Sequence, residues 1–481
     1  MILGRRRELE LLENIYRSKE SQFVTVYGRR RVGKTFLIRE FFQHKKGHFF
    51  HLTGLQNGKI KGQLANFAKA LSKTFHGSIP LKVPKNWSMA MEMLAKDIDQ
   101  QEKMKFKGKI ILFFDELPWL AVKKSGLMDQ IDFYWNNQWS GLKNIIFIAC
   151  GSSASWLLSN IIFHKGGLHN RTTLEINLRP FTLGEAYEYL KNKEVGLNYE
   201  QIMNLYMAIG GVPYYLNYVK RGLSAQENIQ QIFFDENAPL FNEFGKLFQS
   251  LFDSAHAYEE LIYLLAENKE GMGRKEIDKK AKYSSAGGYL TKRLQGLIDA
   301  GFIKEFTPFS KSIGSYYKLI DEYCLFYCKW LKDQGSFFDT HYWLTQSQRP
   351  SYYSWSGYAF EAICLKHYKE IIKKLGLKGI KNISAWRYQP RNSQEEGAQI
   401  DLVIDRLDDA ITLCEIKYTK GLFTIDKSYA QNLRNKQKIF IENTGTTKQI
   451  FWCMITKMGI KKTIYANKMI SNNIVITDLF K

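Results

Sequence analysis

The chain of 481 residues is poor in proline and cysteine, short of acids and without a long apolar run. Its nine prolines and the lack of low-complexity segments exclude an extended, proline-rich protein. The cysteines (Cys150, Cys324, Cys328, Cys364, Cys414, Cys453) are scattered. The one close pair, Cys324 and Cys328, is helically spaced with no second pair or nearby histidines, which excludes a zinc site built from paired cysteines. No stretch reaches the roughly 18 uncharged apolar residues of a membrane span. The opening Met1-Ile2-Leu3-Gly4-Arg5-Arg6-Arg7-Glu8 has no apolar run behind it to act as a signal-peptide core. A reduced, cytoplasmic protein is expected. Acids number 47 against 69 Lys and Arg, a net charge of +22, which predicts attraction to a polyanion. Nucleic acid is the expected partner and a membrane is not, because no amphipathic basic helix is evident. The excess is about +12 before residue 250, about +1 over 251–330 and about +9 thereafter, so no single basic tail carries it.

What is present is an apolar fraction of 45% and a charged fraction of 24%, enough for several cores and, at about 150 residues per domain, for roughly three domains. Phe23 to Tyr27, Ile110 to Phe114 and Ile145 to Cys150 read as buried strands separated by helical spacing, which implies a parallel sheet with helices on both faces. Helical periodicity fills 183–250, broken at Gly210-Gly211-Val212-Pro213. Three helices and a strand pair over 255–320 form a winged helix-turn-helix pattern. A helix over 357–374 then precedes an alternating strand pair, Gln399 to Asp405 and Ile411 to Tyr418.

Gly28-Arg29-Arg30-Arg31-Val32-Gly33-Lys34-Thr35 fits GxxxxGK[ST], between a strand and a helix. In this pattern backbone amides cradle phosphate, the lysine reaches the outer phosphates and the hydroxyl holds Mg²⁺. The strand Ile110 to Phe114 ends in Asp115-Glu116, which sets Asp115 for the metal and Glu116 to polarise the attacking water. Gly151-Ser152-Ser153 ends the third strand, where a γ-phosphate sensor belongs. Arg171, after Gly166-Gly167-Leu168-His169-Asn170, is either a stabiliser of transition-state charge or a solvated loop residue. These motifs, with Leu3-Gly4-Arg5-Arg6-Arg7-Glu8-Leu9 and Leu178-Arg179-Pro180-Phe181, resemble the archaeal-type ATPase family of the AAA+ and STAND group over roughly residues 1 to 250. The resemblance implies that Leu3, Arg5 and the Gly211 to Pro213 element pack around the nucleotide base.

In the winged pattern, Ser284-Ser285-Ala286-Gly287-Gly288-Tyr289, Lys292 and Arg293 are the candidate reading residues. Lys275, Lys279, Lys280, Lys282, Lys304 and Lys311 are candidate phosphate contacts. The local charge of about +1 equally suits a domain joint. In the last domain, strand alternation puts Glu415 and Lys417 on one face, and Asp401 lies at the matching level of the neighbouring strand. The two carboxylates are then able to share a divalent ion while Lys417 steadies or deprotonates the attacking water, with Glu361 as a further ligand; a solvated hairpin is the other reading. Glu361, Asp401, Glu415-x-Lys417 and a following helix with Tyr429, Gln431 and Arg434 resemble the PD-(D/E)xK superfamily over roughly 350–481. Arg434, Lys436 and Lys438 are candidate backbone contacts or a solvated basic face.

The expected fold is α/β and multidomain: a P-loop ATPase core over 1–180, a helical lid over 181–250, a winged helix-turn-helix over 251–325, a helical connector over 326–350 and a restriction-endonuclease-like domain over 351–481. The expected function is ATP hydrolysis with Mg²⁺ controlling a nuclease that uses Mg²⁺ or Mn²⁺ on DNA, with homo-oligomer formation open. The alternative is a regulatory switch whose nuclease-like domain does not cut.

Overall fold

The computed structural model describes residues 2–122, 124–162, 171–283, 288–306, 309, 314–334, 341–388, 390 and 395–481. The chain divides into two compact units, Met1–Arg179 and Pro180–Lys481.

The first unit is a parallel sheet of β1 (Gln22–Tyr27), β2 (Gly47–Thr53), β3 (Lys109–Asp115), β4 (Ile145–Gly151) and β5 (Leu174–Asn177), in the order β2-β3-β4-β1-β5. The central strands β1, β3 and β4 are buried almost throughout, because helices cover both faces; that is why each reads as an unbroken apolar run. On one face Val24 and Val26 pack with Leu12, Leu37, Ile38 and Phe42 of helices Arg6–Arg17 and Lys34–Phe42. On the other, Phe23, Leu112 and Phe147 pack with helices Ile60–Phe75, Trp87–Lys103 and Leu127–Asn137.

The second unit begins with helices Leu183–Asn192, Tyr199–Ile209, Ala225–Phe233 and Glu243–Leu251. Thr182 caps the first, accepting from Glu185 N at 3.3 Å while Glu185 accepts from Thr182 N at 2.9 Å. The expected break appears at Gly210, with φ of 62°, and at Gly211, whose missing Cβ would lie 1.8 Å from the Phe181 carbonyl oxygen. Helices Ala255–Glu267, Arg274–Lys280 and Gly288–Asp299 follow. They accompany an antiparallel sheet of β6 (Met272–Gly273), β7 (Ile303–Phe306) and β8 (Tyr316–Leu319), ordered β6-β8-β7.

The chain closes on a mixed sheet of β9 (Ile380–Tyr388), β10 (Ala398–Arg406), β11 (Ala410–Lys417), β12 (Gln449–Thr456) and β13 (Ile470–Val475), ordered β13-β12-β11-β10-β9. The β9-β10-β11 part is antiparallel and the β11-β12-β13 part parallel. Helix Lys427–Thr444 packs Leu433 and Phe440 on Ile400, Val403 and Leu413. Phe360 and Ile363 of helix Pro350–Lys366 share a core with Leu402, Cys414 and Ile416.

The helix expected over 357–374 is in fact two, Pro350–Lys366 and Tyr368–Leu375, divided at His367. Its buried ring accepts from Leu183 N at 2.9 Å through Nε2, so Nδ1 carries the proton and donates to Ile363 O at 2.9 Å. Burial pushes this imidazole down to about 4. All six cysteines are free thiols, and among the described residues no helix is long and apolar enough to cross a membrane.

Candidate functional site

The loop after β1 is shaped by positions that disfavour side chains. Gly28 has φ of 148° and a Cβ there would meet the Leu178 carbonyl oxygen at 2.2 Å; Arg31 and Gly33 adopt left-handed φ of 71° and 95°. Such a turn presents successive amides to an anion, and helix Lys34–Phe42 starts directly behind it. Val32 is buried, whereas Arg30, Arg31 and Thr35 are half-buried; Arg29 is buried beneath the loop. Arg5, itself left-handed and 5% exposed, donates to Arg179 O at 2.7 Å and Val32 O at 3.0 Å. It braces the loop from behind. Leu3 is half-buried in the same unit, whereas Pro213 belongs to the second, where it opens helix Pro213–Leu216.

Lys34 is 5% exposed and donates to Gly28 O at 2.9 Å, Arg29 O at 3.1 Å and Ser152 Oγ at 3.0 Å. Ser152 donates its hydroxyl to Glu116 Oε1 and its amide to Glu116 Oε2 at 3.0 Å. Lys34 and Glu116 therefore share one serine. Glu116 holds φ of 49°, a left-handed conformation that places it beyond the end of β3. One residue earlier, Asp115 accepts from Thr35 Oγ1 at 2.9 Å through Oδ2, and His51 Nε2 of β2 stands 3.7 Å from the same oxygen. Asp115 Oδ1 is buried without a hydrogen-bond partner. A threonine hydroxyl beside a buried carboxylate with an orphaned oxygen fits Mg²⁺, a hard cation that takes few protein ligands next to phosphate. Arg171 is exposed, and Gly166 to Asn170 before it lie outside the described residues.

In the second unit the register Leu402 to Cys414, continued by one step, sets Asp401 opposite Glu415. Asp401 Oδ2 accepts from Ile416 N at 2.9 Å. Burial, then the charges of Glu415 and Glu361, push the Asp401 carboxyl up to about 8. Glu415 is also buried, which raises it, but Lys417 at 2.7 Å and Lys436 at 2.8 and 2.9 Å outweigh burial and hold it below the usual range. Tyr429 donates to Glu415 Oε1 at 3.2 Å, and Glu361 is ion-paired with Lys318 of β8. Among the described residues no group of three or more His, Cys, Asp or Glu side chains is arranged to hold a metal ion. Glu361, Asp401 and Glu415 are neighbours, but their partners are lysines, the Tyr429 hydroxyl and an amide. Lys318 lies on β8, about 40 residues before Glu361, and nothing in its sequence surroundings marks it for this site. Lys436, expected as a contact to a phosphate backbone or as part of a solvated basic face, instead pairs with buried Glu415.

Ser284 to Gly287 and Lys311 lie outside the described residues. Tyr289 and Lys292 are exposed, as are Lys275, Lys279, Lys280 and Lys282. Arg293 donates to Tyr283 O at 2.8 Å. Lys304 faces the protein instead: it donates to Leu365 O at 3.3 Å between the rings of Phe306 and Tyr368, and burial lowers it to about 8. Arg434 bonds Gln431 at 3.3 Å, and Lys438 lies 3.9 Å from Glu442 on the outer face of its helix.

Residues 3–219 match the family model of an ATPase domain predominantly from Archaea. The chain is 24% identical over 451 residues to the uncharacterized protein MJECL04 of Methanocaldococcus jannaschii, covering 91% of this chain and 92% of that protein. A stretch of 46 residues is 46% identical to the uncharacterized ATP-binding protein MJ0423 of the same organism, covering 10% of this chain and 78% of that protein. Among solved structures, the Walker-type ATPase paby2304 of Pyrococcus abyssi aligns at 17% identity with a TM-score of 0.46, over 68% of this chain and 96% of that one. The ORC2 protein of Aeropyrum pernix, in ADPNP-ADP complexes, aligns at 14% with a TM-score of 0.42, over 68% and 93%. The family match assigns an archaeal-type ATPase domain to the part of the chain that contains the P-loop.

Proposed function

We propose that the chain binds and hydrolyses ATP and uses the cycle as a conformational switch acting on nucleic acid, DNA in the first place. The observation that carries this reading is the linked set Lys34, Ser152 and Glu116 beside Thr35 and Asp115. Loop amides and Lys34 bind the phosphates; Thr35 and Asp115 would hold Mg²⁺, which when bound neutralises phosphate charge. Glu116 orients the attacking water and takes up its proton. Arg171 is assigned to transition-state charge, for a nucleotide of its own chain or of a second copy, and Leu3 and Arg5 to the surroundings of the base. Lys34→Ala should abolish nucleotide binding, whereas Glu116→Gln should keep binding and lose at least about 100-fold in turnover. Equal binding and turnover in the two variants would refute the assignment.

For the carboxyl-terminal carboxylates the regulatory reading is favoured over cleavage, on the lysines that occupy Glu361 and Glu415. As they stand these donors do not fit a divalent ion. Cleavage of plasmid DNA by the wild type with Mn²⁺, lost in Asp401→Ala/Glu415→Ala while ATPase persists, would restore the phosphodiesterase reading.

A further inference from the structure

The carboxylate cluster of the second unit has its counter-charges built in. Glu361 and Lys318, 7% and 6% exposed, form a buried ion pair between helix Pro350–Lys366 and β8. Glu415, 2% exposed, takes Lys417 from its own strand and both of its oxygens take Lys436 from helix Lys427–Thr444. Three lysines thus stand against Glu361, Asp401 and Glu415. A buried ion pair of this kind is maintained only where the geometry returns the desolvation cost, and loss of either member leaves an uncompensated charge. A divalent cation would need the same oxygens and would repel the ammonium groups already on them.

Lys318 is held in place by more than its own pair. On β7, the neighbour of β8, Lys304 bonds Leu365 O on the helix that bears Glu361. At the turn leading into β6, Glu270 pairs with Arg387 of β9 at 3.2 Å, and Arg387 also donates to Gly271 O at 3.3 Å. The three-stranded sheet is therefore fastened to the rim of the cluster on either side of Lys318.

We infer that Lys318 and Lys436 are locks on the cluster, ammonium groups filling the places that a divalent ion would have to take, and that the small three-stranded sheet carries one of them. The inference rests on the reading that these donors do not fit a divalent ion as they stand, and adds that Glu361, Asp401 and Glu415 would hold one once a lysine is removed. It makes both lysines positioning residues, and it makes metal entry conditional on displacement of β8 or of the helix that bears Lys436.

The test is a Mn²⁺ titration of the full chain, followed by the electron paramagnetic resonance of the free ion, in wild type, Lys318→Met and Lys436→Met, each with and without Asp401→Asn. In the wild type, Asp401→Asn should leave the isotherm unchanged. Each lysine variant should gain one Mn²⁺ site, at least about tenfold tighter than any wild-type binding that depends on Asp401, and Asp401→Asn should remove it. An Asp401-dependent site of equal affinity in wild type and lysine variants would overturn the locks and leave the metal site standing. Absence of Asp401-dependent binding in every chain would overturn the metal reading and the locks with it. Should Lys318→Met fail to fold, as judged by circular dichroism, Lys436→Met decides alone, since Glu415 there keeps Lys417.

Discussion

A β-carbon at Gly28 would stand 2.2 Å from the Leu178 carbonyl oxygen, on a backbone with φ of 148°. Neither the strand edge nor the loop can yield without moving Lys34, which bonds the Gly28 carbonyl. Gly28→Ala should therefore cost about 2–4 kcal/mol and abolish nucleotide binding; urea melts and titration with a fluorescent ATP analogue read the two effects separately. Ser152 is a subtler case, because it touches both Lys34 and Glu116 and lies 5% exposed. As a positioning residue it should affect turnover more than binding. Ser152→Ala is expected to lower kcat by about 10- to 100-fold with KM within about threefold, and Ser152→Thr to restore most of it. A parallel loss of affinity in Ser152→Ala would make the serine a phosphate ligand instead.

His367 ties two helical elements together, receiving the first amide of helix Leu183–Asn192 where the Pro350–Lys366 helix ends. Its folded value of about 4 lies below the 6.5 of an unperturbed imidazole. The unfolded chain therefore binds the extra proton first as pH falls. The stability this neutral ring supports is complete above about 6.5 and is lost on acidification toward 4. Between pH 7 and 5 the loss should be about 2 kcal/mol, and smaller by that amount in His367→Gln; urea melts at the two pH values check it.

The same elements explain what the sequence made legible. β1, β3 and β4 are covered on both faces and read as apolar runs, and the P-loop is a contiguous string, so both are visible in one dimension. The edge strands β2 and β5 alternate irregularly in burial, so neither an apolar run nor a clean alternation marks them. Asp401, Glu415 and Lys417 could be found from the alternation of one hairpin. The lysines paired with Glu361 and Glu415 from elsewhere could not, since Lys318 and Lys436 reach the cluster from a separate sheet and a separate helix, and a lysine there looks like any solvated one.

At the scale of the molecule, the positive excess is spread through the chain, so binding to DNA should be strongly salt-dependent whichever surface it uses. Affinity should fall by about 10³ or more between 50 and 200 mM salt, as fluorescence anisotropy on a labelled duplex would measure. Weak salt dependence would argue for a protein partner. The division into Met1–Arg179 and Pro180–Lys481 leads to a second expectation. Each unit has its own cores, so heating should melt them in two transitions, and a single two-state free energy does not describe the chain. Lys34, the paired Thr35 and Asp115, and Glu116 all belong to the first unit. ATP with Mg²⁺ at about 100 times its Kd stabilises the state that binds it by about 2.7 kcal/mol, which for a unit of this size raises its midpoint by about 5–10 °C. Differential scanning calorimetry should show that shift in one transition alone, and Lys34→Ala should remove it. A shift of both transitions would mean that the energy of nucleotide binding is shared across the chain, the property a switch needs before ATP in the first unit has any hold on the carboxylates of the second.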